Sequence, residues 1–283
     1  MYSVVLNSSN ITNLNSGNNR FRCTFPTAQK FENKCIAITQ LSLYYAWNNI
    51  TSVFNNNKFG FIFPSGTGYS NYEVNLPDSN LEYADLNTAL QLYCKSQGLY
   101  LLDSSGKELY FLSIQLFQAE YSVILAYSPV PTSLPSGYSK PSNCSINFPD
   151  VTKTPQFVIY DNEFTTILGI PSGTYPSIPQ TTGGFTKSTT TPQISPIQCL
   201  LFQCNLCYNP YSEMPSFIFA TTNNNATYGS IIPSPISFPQ YSDIKDGFYS
   251  SMEISIVDQD FNAVTILDPD ILILLTIAPQ DRI

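Results

Sequence analysis

The chain contains no histidine. That removes the Ser-His-Asp and Cys-His nucleophiles, the histidine general base and the histidine-ligated zinc site in one step. Carboxylate-pair chemistry is the acid–base option that remains, and no two acidic residues are marked for it. Cys204 and Cys207 form a Cys-x-x-Cys. A redox pair of that spacing opens a helix beside a βαβ unit, and a zinc ribbon needs a second pair. Here the motif falls in an expected strand between Phe202 and Tyr208, so it reads as two small residues filling a core. Asp258/Asp260 and Asp268/Asp270 offer oxygens of the kind calcium takes. The EF-hand spacing is absent, and Asp-Gln and Asp-Pro are common turn formers. The glycine-containing stretch Ser65–Tyr69 lacks the lysine of a phosphate loop and the strand–helix context of a dinucleotide loop. Tyr44, Tyr45 and Trp47 end an expected strand. They have the chemistry to stack on a sugar, but packing in the core or at its rim is the simpler role. Five Asn-x-Ser/Thr sequons, at Asn7, Asn10, Asn49, Asn143 and Asn225, are what chance supplies in so Asn/Ser/Thr-rich a chain. No catalytic, cofactor-binding or metal-ligating residue is assigned, and no cofactor is expected.

The bulk composition points the same way. The chain has 283 residues, 43% of them hydrophobic, with 19 Tyr and 19 Phe. That is material for a substantial core, and it is unlike a disordered chain. Only 11% of residues are charged, about half of ordinary usage, so Ser, Thr, Asn and Gln must supply the polar surface. The net charge is −8, and arginine occurs only at positions 20, 22 and 282. A nucleic-acid partner needs a cationic footprint; no basic run supplies one, and none is expected to bind. Seven cysteines, an odd number without framework spacing, fit a reducing compartment. The opening Met-Tyr-Ser-Val-Val-Leu-Asn lacks the basic and apolar regions of a secretory leader. The longest apolar run, Ile271–Ile277, is interrupted by Thr276 and is too short to span a bilayer, so no membrane span is expected.

The elements follow from periodicity. Phe21, Cys23 and Phe25 alternate with Arg20, Arg22 and Thr24, and Cys35–Tyr45 and Phe59–Phe63 are further strand-like runs. Tyr72–Leu76 is a short strand ending at Pro77-Asp78. Leu86, Ala89, Leu90, Tyr93 and Cys94 make one stripe of a helix over about 82–97, with Gly98 placed to end it. Strands are expected near 109–117, 121–127 and 157–160, followed by a helical turn carrying Phe164, Ile167 and Leu168. Loops rich in Pro, Ser, Gly and Thr occupy 128–155 and 171–196. Strands return near 197–207, 216–220, 228–232, 248–257 and 270–277. Phe248, Met252, Ile254 and Ile256 share one parity, and Ile271–Leu275 is apolar on both faces, as for an inner strand covered on both sides. The strands at the two ends must pair with each other, since neither set closes a core alone. The expected fold is mainly β: a single jelly-roll β-sandwich (1–65 and 185–283) with a small α+β insertion domain (66–184).

Several segments, taken in order, resemble one family. They are Asn19-Arg20-Phe21-Arg22-Cys23-Thr24-Phe25-Pro26; Ile36–Trp47; Leu76-Pro77-Asp78 with Asp85-Leu86-Asn87, Leu90 and Gln91; Leu168-Gly169-Ile170; and Asp258-Gln259-Asp260-Phe261-Asn262 followed by Ile271–Ile277. The family is the penton, or minor capsid, protein of virophages and of the related Polinton/Maverick-type elements. The resemblance implies a structural, non-enzymatic protein of the virion. It implies a homopentamer at icosahedral capsid vertices, surrounded by the major capsid protein and assembled inside the infected cell. One departure stands out: the final hairpin of many relatives is more basic, whereas this one carries Asp268 and Asp270. The residues alone also leave room for a β-sandwich attachment or carbohydrate-binding module. A carboxylate-only hydrolase would need a deep cleft with two acids about 5–9 Å apart.

Overall fold

The computed structural model describes residues 2–208, 217–221, 226–236 and 238–282. Two compact units emerge, Met1–Trp47 with Ile197–Ile283, and Asn48–Pro196. The first unit begins with β1 (Tyr2–Asn7), β2 (Arg20–Phe31) and β3 (Lys34–Tyr44). The second contains β4 (Lys58–Ser65), β5 (Gly68–Asn75), α1 (Tyr83–Ser96), β6 (Leu112–Phe117), β7 (Ser122–Tyr127), β8 (Gln156–Ile159), α2 (Phe164–Leu168) and β9 (Gly184–Lys187). The chain then returns to the first unit for β10 (Leu200–Cys204), β11 (Phe217–Thr221), β12 (Ile231–Pro235), β13 (Gly247–Val257) and β14 (Ile271–Pro279).

The first unit is a jelly roll by its strand order. One sheet runs β1-β14-β3-β12, and the other runs β11-β10-β13-β2 with the short strand Thr12–Asn13 beyond β2. Counted along the chain, the first sheet takes the first, eighth, third and sixth of these strands, and the second takes the fifth, fourth, seventh and second. That interleaving, with every pair antiparallel, is a double-sheet jelly roll. Alternation along the strands supplies its core. Leu200, Phe202 and Cys204 of β10 are buried, as are Met252, Ile254 and Ile256 of β13 and Ile271, Ile273, Leu275 and Ile277 of β14.

Two sequence expectations for these strands change. Leu272 and Leu274 are only half-buried, so β14 is interior to its sheet without being fully covered on its second face. Phe248 is 73% exposed although it shares parity with Met252. The pairing of β13 with β2 shifts between Tyr249 and Ser251, and such an irregularity turns the side chains beyond it to the opposite face. Tyr249 therefore meets buried Phe31, at 5.9 Å between ring centroids.

The second unit has its own core. The β4–β5 hairpin pairs with β8 on the other side of β4. Phe59 stacks on Phe164 at 4.9 Å and Phe61 on Tyr72 at 5.0 Å, with Tyr93 of α1 edge-on to Phe61. The expected stripe holds: Leu86, Leu90 and Cys94 face this cluster. At the end of α1 the Leu99 N–H donates to the Cys94 carbonyl and the Gly98 N–H to that of Lys95, the double closure of a Schellman motif. Gly98 sits at φ +70°, and a Cβ there would lie 2.0 Å from the Asn143 carbonyl oxygen, so glycine is required twice over.

The insertion runs further in both directions than the expected 66–184. Strand β4 pairs with β5 and β8, and no strand of the jelly roll is its partner. The reason 58–65 was misassigned is physical: an apolar run marks a buried strand but does not say which neighbour buries it. The new boundary has a direct consequence. A fragment spanning 48–196 is expected to fold alone, with a cooperative thermal transition and dispersed amide shifts. A fragment spanning 66–184, lacking β4 and its phenylalanines, is expected to show neither.

Candidate functional site

The groups singled out for chemistry are spoken for by structure. Asp258 is buried, and its carboxylate accepts the N–H groups of Asp260 and Asn262, each at 2.9 Å, and the Asn262 amide at 3.3 Å. Asp268 accepts the Asp270 N–H at 2.8 Å. Both acidic pairs thus perform turn chemistry. Ser65–Tyr69 is a two-residue hairpin turn, Gly66-Thr67, with Gly66 at φ +55°. Trp47 is 1% exposed and its ring lies 4.5 Å from that of Tyr45, so it has no face to offer a sugar. The Asn49 sequon is buried too. Its amide donates to the carbonyls of Leu81 (2.8 Å) and Ile194 (3.0 Å), and its oxygen accepts the Leu81 N–H. Asn225 lies outside the described residues.

The Cys-x-x-Cys is displaced from its expected place. Cys204 is the last residue of β10, and residues 205–207 form a turn closed by the Cys207 N–H on the Cys204 carbonyl. The Cys207 thiol is hydrogen-bonded to Cys204, which together with burial holds it far above the ordinary thiol range. Burial raises the thiols of Cys35 and Cys94 as well, the latter to about 12. Such thiols stay protonated and unreactive near neutral pH.

Some of the surface charges are paired. Arg20 and Arg22 converge on Glu253, with Nη2 of Arg20 at 2.8 Å from Oε2 and Nε of Arg22 at 2.9 Å from Oε1. Lys30 pairs with Glu32, Lys95 with Glu108 and Lys187 with Glu120. Among the described residues five of the chain's 12 cations are thereby matched to carboxylates, and the others form no basic run that would follow a phosphate backbone. Among the described residues no group of three His, Cys, Asp or Glu is arranged to hold a metal, and no helix is long and apolar enough to cross a membrane.

Among the described residues there is also a concave site that the sequence did not disclose. It lies in the second unit between the first turns of α1, strand β6 and the one-turn helix Gln118–Glu120 that links β6 to β7. The cleft holds about 730 Å³ and is lined by Glu82, Tyr83, Asn87, Gln115, Gln118 and Tyr121 among others. Asn87 fixes one wall, because its Oδ1 accepts the Ile114 N–H at 2.9 Å and ties α1 to β6. The Tyr83 hydroxyl donates to the Ile167 carbonyl at 2.9 Å, and burial, with a smaller contribution from Tyr121, holds its phenol well above the usual range. Glu82 is the lone carboxylate of the lining, and no cation lines the cleft. It therefore lacks the second acid that hydrolysis by a carboxylate pair requires. These residues come from separate stretches of chain, and no periodicity in any one of them announces the cleft.

The class defined by this architecture is a jelly-roll β-sandwich interrupted between its third and fourth strands by an independent α+β unit. Among solved structures the chain is similar to the mavirus penton protein, at 11% identity over 98% of this chain and 99% of that one, with a TM-score of 0.46. It is also similar to a chain of the Sputnik virophage solved by cryo-EM, at 10% identity over 99% and 98%, with a TM-score of 0.39. No family model matches the chain, and no curated protein matches it.

The convergence on Glu253 generates a pH prediction. Its hydrogen bonds and ion pairs with Arg22 and Arg20 hold the carboxyl below its ordinary value of 4.5. A carboxyl whose folded pKa is depressed contributes stability above its unfolded pKa, and that contribution is lost as pH falls through the folded value. Melting temperature should therefore drop on acidification below about 4.5. Glu253→Gln should lower it at neutral pH and make the acid-side decline shallower, as read by a melting series across pH.

Proposed function

We propose that this chain is a structural component of a viral capsid that acts by assembly and not by catalysis. Five copies close a ring at an icosahedral vertex, set among copies of the major capsid protein in the virion. The observation that carries the reading is the jelly-roll strand order, with its interruption between the third and fourth strands falling inside the ordered series of penton-like segments. The penton-like segments have structural roles. Asn19-Arg20-Phe21-Arg22 carries the pairing to β13, Leu168-Gly169-Ile170 ends α2 with Gly169 at φ +64°, and the Asp258 turn precedes β14. A low share of charged residues suits a surface that is to be covered by neighbours.

A ring of identical subunits needs heterologous contacts, so one patch of each copy must meet a different patch of the next. The purified protein is accordingly expected to scatter light as five copies of 31.5 kDa, with fivefold rings in negative stain of the same peak. If the ring closes only on the shell, the chain alone is a monomer and co-expression with the major capsid protein yields fivefold vertices. A stable trimer overturns the reading. Phe248, thrown outward by the shift in β13, is a candidate contact. Phe248→Ser is expected to leave the melting temperature within about 0.5 kcal/mol of equivalent stability while reducing ring or shell assembly.

A further inference from the structure

We propose that the cleft beside α1 binds a neutral carbohydrate. Its volume, about 730 Å³, falls within the range of sites that enclose a small ligand. Its chemistry is unusual for packing and suited to hydroxyl groups. Asn87, Gln115 and Gln118 bring side-chain amides to the lining: the Asn87 Oδ1 is held by the Ile114 N–H and the Gln115 amide nitrogen donates to Ser113 Oγ, which leaves the Asn87 NH2 as a donor and the Gln115 oxygen as an acceptor toward a sugar hydroxyl. Tyr121 supplies a flat apolar face of the kind on which sugar C–H groups rest, while Tyr83, buried in the core, forms the floor. The absence of any Lys or Arg from the lining argues against phosphate, sulfate or sialic acid. Lys187, on β9 beside this hairpin, is held by Glu120.

Tyr121 is the second, independent observation. It follows the helix Gln118–Glu120 with φ +44° and stands 53% exposed over the cleft. A large non-glycine residue in the left-handed region is an outlier that costs free energy, and such outliers cluster where they serve a ligand. The hairpin gains nothing evident by placing a tyrosine there, since glycine would satisfy the backbone without strain. The strain presents an aromatic ring to solvent at the rim of an amide-lined cleft.

This inference does not rest on ring formation, because every residue involved belongs to the second unit. The test uses the full chain and saturation-transfer NMR with methyl glycosides of glucose, galactose, mannose and N-acetylglucosamine, their disaccharides, and sialyllactose as the anionic control. Saturation transfer to at least one neutral sugar is expected. Tyr121→Gly, which removes the ring while suiting the backbone, and Gln115→Ala, at an exposed position on β6, should each weaken it by roughly tenfold. Chemical-shift dispersion and melting temperature establish that both variants stay folded. No transfer to any neutral sugar overturns the proposal. So does transfer that both variants leave unchanged, transfer to sialyllactose alone, or intermolecular contacts showing the cleft filled by a second copy of the chain. The sugar-binding outcomes do not bear on the capsid reading, which fails or stands on the mass and symmetry of the assembly; a cleft filled by a second copy would make it an interface between copies.

Discussion

The sandwich closes only because strands from opposite ends of the chain meet, and the longest interruption between them holds its own ends together. Strand β14 lies between β1 and β3, so its partners on both sides come from the first 44 residues. Between β3 and β10 stands the whole second unit. A flexible segment of that length would add loop-closure entropy before any long-range pair formed. Here Asn49, near the entry, donates to the Ile194 carbonyl, near the exit, at 3.0 Å. The same buried amide bonds to Leu81 through both its donor and its acceptor. Once the insertion has folded on its own core, it behaves as a short link between the third and fourth strands. Its many local contacts form without waiting for the sandwich.

The asparagines explain a composition that the charge count made puzzling. With so few charged residues, the abundance of Asn and Ser reads as polar surface, and part of it is not surface at all. Asn19, Asn49, Asn56 and Asn57 are buried. The Asn19 amide donates to the Val264 carbonyl, that of Asn56 to Asn49 and that of Asn57 to Leu76. Each amide satisfies a backbone group where the chain leaves a strand and no ladder partner exists, which removes the cost of an unpaired buried carbonyl. A lysine or glutamate could not take these places without the much larger cost of a buried charge.

What the sequence disclosed follows what local physics determines. The stripe of Leu86, Leu90 and Cys94 and the glycine that ends α1 were readable because helix period and left-handed capping are properties of neighbours in sequence. The alternation of β2 and the inward set Met252, Ile254 and Ile256 were readable for the same reason. The limits appeared where partners decide. Phe59–Phe63 looks the same whether buried by the jelly roll or by β5 and β8. The parity of Phe248 held only until the pairing shifted after Tyr249. Cys204 and Cys207 seemed to share one strand, yet the strand ends at the first of them. The cleft beside α1 was invisible because it needs residues near 82–88, 114–121 and 194 to meet, and nothing local requires that they do.

These constraints bear on the contacts that the proposed assembly would require. Identical copies with a net charge of −8 repel one another at long range, and salt screens that repulsion over about 10 Å at 0.1 M. The cations available to oppose it are few, and five of the 12 are drawn into pairs within the chain, as Arg20 and Arg22 are on Glu253. In the proposed ring, attraction between copies would come from apolar side chains left outside the core and from uncharged hydrogen-bonding groups, both short in range. Contact is favoured only when surfaces fit closely, and encounter is not steered by charge. Exposed aromatic side chains on an acidic chain thus favour contact by shape, and the ring of Phe248, displaced from the core by one irregularity in strand pairing, is such a feature.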